Sequence, residues 1–291
     1  MGKYSKTNWH KGILSVEDGD TLYLSVVFTW DLPKARRIAL HNPHKRVVAG
    51  GPATVLMPEY LSDCAEIQET YHSMVQLHNA DACRTSKGCD RGCKFCAVKM
   101  VEGNFTELPT DNIKPIICDS NFLQSSNKHF NTVIDKCKAL PYVDFNQGLD
   151  ARLLTNDIAG RLSEVNIPTL RFAWDSAGCE APVMKAIETV EKAGFKRSHI
   201  TVYCLVNHGE EPEEALYRLQ TLKEAGVVGF PMRFQPLTTT EKNEHVDPKW
   251  DTDELKRFVR YWSRQNWLCK IPYAEFSNHG MSNQQEQCKL F

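Results

Sequence analysis

The sequence has no apolar run approaching the ~18 residues of a membrane span. It has no excess of either charge. Its 35 Lys and Arg face 36 Asp and Glu, which excludes a strongly basic nucleic-acid coat or an acidic tail but leaves room for a local basic patch. It has no internal repeat and no low-complexity stretch. The opening residues, MGKYSKTNWHKG, are polar and hold no apolar stretch of a secretory leader. What it does have is eleven cysteines, an odd count. Without an export signal, that count points to thiols and metal chemistry in a reducing, cytoplasmic compartment rather than to a disulfide framework.

The 291 residues allow about two domains, or one α/β barrel that takes most of the chain. Residues 20–29 are β-branched and aromatic and read as a buried strand. Asp31-Leu32-Pro33 opens a helix with Ala35, Ile38 and Ala39 on one face, and residues 45–49 read as a second strand. Residues 1–74 are therefore expected to form a small Rossmann-like βαβ unit. Beyond it, strand patterns at 76–84, 114–118, 142–146, 168–174, 199–206 and 228–234 alternate with helix patterns at 127–140, 155–165, 181–193 and 212–225. A last helix is expected near 252–266. The fold class is α/β, with a partial (β/α)6 TIM-type barrel over 75–240 and a helical segment and tail over 241–291. Active sites of such barrels sit at the C-terminal ends of the strands.

The decisive segment is Cys89-Asp-Arg-Gly-Cys93-Lys-Phe-Cys96, on the loop after the first barrel strand. Three thiolates this close reach one metal centre without a long loop closure. Gly88 and Gly92 allow tight wrapping, and Arg84, Lys87, Arg91 and Lys94 add positive charge that favours thiolate. A structural zinc site wants four ligands, usually as two pairs, so zinc here needs a distant fourth such as Cys83 or a histidine. A cubane [4Fe–4S] cluster on three cysteines leaves one iron open. Three unrelated core cysteines are the plainest alternative.

The Cys-x3-Cys-x2-Cys spacing, with Phe95 before the last cysteine, resembles the radical S-adenosylmethionine (radical SAM) superfamily over about residues 75–240. The resemblance implies a [4Fe–4S] cluster on Cys89, Cys93 and Cys96. Its open iron chelates S-adenosyl-L-methionine (SAM), and one electron, from a donor such as a flavodoxin or ferredoxin, splits SAM to a 5′-deoxyadenosyl radical that abstracts a substrate hydrogen. Phe95 then shields the cluster near the adenine. Asp119 and Asn121, after the second strand, are similar to an Asp-containing variant of the segment that holds the SAM amino group; a helix N-cap, which Asp119 and Ser120 favour, is the alternative. Gln147, Asp150 and Arg152, after the third strand, face SAM or substrate unless Asp and Arg simply pair. Arg171, Asp175 and Ser176 fall at the fourth strand, where ribose or carboxylate contacts are usual. Leu205 and Val206 occupy the adenine-packing segment, and Arg233 and Gln235 share one face of the sixth strand, either inward or solvated.

The N-terminal unit resembles a shortened cobalamin-binding domain, but Asp-x-His-x-x-Gly is missing from residues 1–80, so cobalamin is not expected. The chain also lacks a second cysteine triad and a terminal RNA module, which argues against a tRNA methylthiotransferase. Of the remaining cysteines, Cys118, Cys179 and Cys204 lie near strand ends and are the candidates for chemistry. The basic stretch over 34–46, with His41 and His44, is a solvated surface or a phosphate contact. The substrate is open between nucleic acid, a modified nucleobase, a small metabolite and a peptide. A non-catalytic zinc- or cluster-binding module is the alternative function. Trp250, Trp262, Trp267 and the 271–276 stretch are expected to pack against the barrel or cover it.

Overall fold

The computed structural model describes residues 9–68, 75–264 and 271–276. The chain opens with a hairpin, β1 (Leu14–Asp18) and β2 (Thr21–Ser25). Helix α1 (Leu32–Leu40) then crosses to β3 (Arg46–Gly50), which lies parallel to β2 with Leu22 opposite Val47. The expected βαβ unit is therefore present, with Ala35 and Ala39 buried. It is extended by α2 (Pro52–Leu56) and the short parallel strand β4 (Glu66–Ile67), giving the order β1-β2-β3-β4. Leu22, Leu24, Val26, Leu32, Val47 and Ala49 form a core of their own.

The strand expected over 76–84 is mostly something else. Residues Val75–His78 form a helical turn, α3, and only Ala82–Cys83, β5, is extended. Between them the Asn79 side chain is buried and accepts from the Asp81 backbone N–H at 3.0 Å, a local turn that competes with the strand. A small hairpin follows, β6 (Ser86–Lys87) against β7 (Thr106–Glu107), with α4 (Val98–Glu102) between its arms.

The barrel strands then come in chain order. Parallel β5, β8 (Ile116–Ile117) and β9 (Asp144–Phe145) form one sheet. Parallel β10 (Leu170–Ala173), β11 (Ile200–Val206) and β12 (Val228–Arg233) form another. No ladder joins β9 to β10. The seam is held by the Leu149 N–H donating to the Arg171 carbonyl at 2.8 Å and by a buried Arg171–Asp144 ion pair. The barrel is thus partial and split, not closed.

Helices α5 (Asn127–Cys137), α6 (Asn156–Leu162), α7 (Glu180–Lys192) and α8 (Pro212–Glu224) alternate with these strands as the periodicity predicts. Their apolar faces bury Phe130, Leu162, Ile187 and Leu219 in one continuous core with Phe172, Trp174 and Val202. Helix α9 (Thr252–Ser263), capped by Asp251, lays Leu255, Phe258, Tyr261 and Trp262 into the same core. The closing segment therefore packs against the barrel, with Trp250 and Phe276 buried; Trp267 lies outside the described residues. No helix among the described residues is long and apolar enough to cross a membrane.

Candidate functional site

The cysteine segment hangs from the β6–β7 hairpin, and its anchor is Glu102 at the end of α4. One carboxylate oxygen of Glu102 pairs with Arg84 at 2.7 Å. The other accepts from the Gly88 N–H at 2.8 Å and from the Ser120 hydroxyl at 2.9 Å. Gly88 has φ +77°, and a Cβ there would meet the Asn104 carbonyl oxygen at 2.2 Å, so the loop needs glycine for both its turn and its close approach. Asp90 accepts from the Phe105 N–H at 3.0 Å and from the Gln124 amide. Arg91 reaches Asp150 beyond β9 at 2.8 Å. The loop is therefore tied to three different strand ends. Glu102, Asp90 and Gln124 were invisible as site residues in the sequence, because nothing in their spacing marks them.

Cys89, Cys93 and Cys96 line one cavity of about 320 Å³ at the C-terminal ends of the barrel strands. Burial pushes the Cys93 and Cys96 thiols above their ordinary range. Arg152 and Arg91 pull the Cys93 thiol down but less than burial raises it, and Arg84 is paired with Glu102 and Arg91 with Asp150. Metal binding at such thiols therefore has to displace protons. Among the described residues, no three His, Cys, Asp or Glu side chains converge closely enough to hold a single ion. Cys83 cannot serve as a fourth zinc ligand. It is buried away from the cavity, and its sulfur accepts from the Lys114 N–H at 3.2 Å. Three thiols that share a cavity without converging on a point suit a cubane, which spreads its ligands over separate irons.

Around the thiols the structure gathers Phe95, Asn121, Gln147, Asp175 and Ser176, all in the cavity wall. The Asn121 amide N–H donates to the Cys89 sulfur at 3.4 Å, and its carbonyl oxygen is buried with no partner among the described residues. It is an acceptor available to an amino group in the cavity. Phe95 packs edge-on against His208, ring centres 5.7 Å apart, and so reaches the end of β11. Burial pushes the Asp175 carboxyl up, partly offset by a backbone hydrogen bond from Leu205. Asp150 is also in the wall. Burial raises its carboxyl, but hydrogen bonding and charge from Arg152 and Arg91 outweigh this and hold it below the usual carboxylate range. Asp150 and Arg152 therefore pair with each other and also line the cavity wall. Cys179 lines the cavity as well, with its sulfur 3.5 Å from the Ser176 hydroxyl.

Other expected site residues lie outside this cavity wall. Asp119 is 2% exposed and consumed by structure, accepting from the Thr85 N–H at 2.7 Å, the Thr85 hydroxyl at 2.5 Å and the Ser86 hydroxyl at 2.9 Å. Arg171 seals the β9–β10 seam against Asp144. Arg233 donates to the Asn243 and His245 carbonyls at 2.7 and 2.8 Å and, with Gln235 accepting from the Asn243 N–H, fastens the 234–247 loop. Leu205 and Val206 are outside the cavity wall. Cys204 is fully buried and its thiol is pushed far up, while Cys118, also buried, is pushed up to about 12. Neither is poised as a nucleophile. In the basic stretch, Arg36 pairs with Asp63, Lys45 with Glu17 and Arg46 with Glu66, and His41 Nδ1 lies 2.7 Å from the Arg37 carbonyl oxygen, which weakens the phosphate-contact reading.

The fold is one of split parallel strands carrying a three-cysteine loop at their C-terminal ends, preceded by a mixed α/β sheet. Two solved structures share it, both of the radical SAM methyltransferase TsrM from Kitasatospora setae. One, with cobalamin and a [4Fe–4S] cluster bound, matches at a TM-score of 0.57 and 11% identity over 77% of this chain. The other, with tryptophan substrate and the SAM analogue aza-SAM, matches at 0.55 and 12% over 76%. The chain spans 66% and 63% of those two chains, and at such identity the likeness is one of fold. No protein-family model and no curated protein matches the sequence.

Proposed function

We propose that the chain is a radical SAM enzyme. The observation that carries the reading is that Cys89, Cys93 and Cys96 share one cavity with Asn121, Asp175 and Ser176 at the C-terminal ends of parallel strands. With a [4Fe–4S] cluster and SAM bound, reductive cleavage of SAM supplies a 5′-deoxyadenosyl radical that takes a hydrogen from substrate. The protein's own part is to hold and shape. Cys89, Cys93 and Cys96 hold the cluster, and the Asn121 N–H tunes the Cys89 sulfur. The buried Asn121 oxygen accepts from the amino group of SAM, while Asp175 and Ser176 reach its ribose or carboxylate. Phe95 excludes water from above. The electron comes from a donor of flavodoxin or ferredoxin type. Cobalamin stays outside the proposal, because residues 1–80 contain no Asp-x-His-x-x-Gly.

Anaerobic reconstitution tests this. The expected result is a brown protein with about four iron and four sulfide per chain that forms 5′-deoxyadenosine from SAM on reduction. Stoichiometric zinc with no SAM cleavage would establish the non-catalytic binding module instead. Cys93→Ala is expected to abolish both colour and cleavage, and retained turnover would refute the cluster assignment.

A further inference from the structure

A second cavity, of about 360 Å³, opens on the other side of Gln147. It is built from two sheets at once. Ser25 ends β2, and Arg84, Cys118 and Asn146 are the residues that immediately follow β5, β8 and β9. Gln147 borders both this cavity and the cysteine cavity, so a molecule seated here lies next to the chemistry.

The wall specifies the occupant by its charge and its surfaces. Among the described residues no carboxylate lines it, so a polyamine or another cation would find no counter-charge there. Its one guanidinium, Arg84, is already in the ion pair with Glu102, so a polyphosphate is poorly served. The remaining polar groups are uncharged amides and a hydroxyl, together with imidazoles. Gln68 offers a donor and an acceptor; Gln147 Nε2 donates to Asn146 Oδ1 at 3.1 Å, which leaves the Asn146 N–H groups and the Gln147 carbonyl oxygen for a ligand, and the Ser25 hydroxyl is 2.9 Å from His78 Nε2. Burial, with a smaller contribution from His10, lowers the His78 pKa and favours its neutral form. Trp9 and Phe28 add flat aromatic faces. Paired amide donors and acceptors match the edge of a heterocycle, and aromatic faces take its plane.

We propose that this cavity binds the substrate as an uncharged, flat nitrogen heteroaromatic ring of the nucleobase class, with the Gln147 amide at the boundary turning one ring edge toward the cysteine cavity. The word substrate rests on the radical SAM reading; binding of the ring does not.

The test is calorimetry and tryptophan fluorescence of the full chain with adenine, guanine, cytosine and uracil. At least one base is expected to bind with a Kd of about 1 mM or tighter and to quench fluorescence, with the quench reduced in Trp9→Phe. Val27→Trp, which fills the cavity, is expected to weaken binding at least about tenfold. Asn146→Ala is the second variant and does the same without adding bulk. Cys93→Ala is expected to bind the ring as the wild type does while losing SAM cleavage, so the two proposals fail separately. Absence of binding by any base, or binding that neither Val27→Trp nor Asn146→Ala changes, overturns the assignment. So does hydroxocobalamin binding that Val27→Trp abolishes. Ring binding that leaves 5′-deoxyadenosine formation unchanged in the reconstituted protein overturns the substrate role.

Discussion

Asp119 and Asn121 sit two residues apart after β8 and have opposite fates. The Asp119 carboxylate is satisfied by three hydrogen bonds from Thr85 and Ser86, whereas the Asn121 oxygen has none among the described residues and its N–H reaches the Cys89 sulfur. A donor to a cluster thiolate stabilises the more negative, reduced form. Asn121→Ala is therefore expected to lower the cluster's midpoint potential and weaken SAM binding, while shifting the unfolding midpoint little. Redox titration with optical or EPR detection reads the first and calorimetry the second. An unchanged potential would remove Asn121 from the cluster's environment. Asp119→Ala should do the reverse, destabilising the fold by about 1–3 kcal/mol through the buried donors it orphans. The sequence marks both residues equally, because residue type and strand-end position are all it offers. Which one is consumed depends on Thr85 and Ser86, some 34 residues away, and a single sequence does not reveal that pairing.

At the scale of elements, the helices were the legible part. Val183, Ile187 and Val190 repeat on one face, and α7 buries all three. The barrel strands from β8 to β12 were also placed correctly, since each is an apolar run between helical patterns. What was not legible was local. One support of the cysteine loop, Glu102, ends α4, a five-residue helix with no periodicity to read, and Val75–His78 is a helical turn just before the Asn79 turn. The two loop glycines separate turn chemistry from close approach. Both have positive φ, but the Cβ position at Gly88 is 2.2 Å from the Asn104 oxygen, whereas at Gly92 the nearest atom is Lys99 Cδ at 3.8 Å. Gly92→Ala is expected to cost only the left-handed penalty, about 1 kcal/mol, and to keep the cluster. Gly88→Ala must move the loop off the 103–104 backbone, costing several times more and losing most of the iron. Thermal melts and iron per chain, measured side by side, check the contrast; equal behaviour would mean the loop does not need its present path.

Across the whole molecule, the two sheets and the barrel ends are joined by buried polar clamps, and one of them makes stability depend on pH. Arg218 is 4% exposed in its side chain and donates to the Trp174 carbonyl at 3.1 Å and the Leu205 carbonyl at 2.8 Å, so it ties α8 to the ends of β10 and β11. Its partner Glu210 is largely buried. Burial pushes the Glu210 carboxyl up to about 7, against the pull of Arg218 and with help from Glu214, Asp175 and Asp247. An unfolded glutamate ionises near about pH 4.3. Between these two values the folded chain holds a proton that the unfolded chain has released. Folding stability therefore falls as pH rises from about 4.3 to about 7 and levels off above. Glu210→Gln keeps an acceptor for Arg218 and removes the titration. Urea unfolding at about pH 5 and about pH 8 is expected to show the wild type losing stability between them, and the variant losing distinctly less. A variant with the same drop would place the pH dependence on other groups. The residues concerned, Glu210 and Arg218, lie eight apart across the turn into α8. Their burial comes from the ends of β10 and β11 packing against α8, so the sequence shows two ordinary charges where the fold makes a clamp.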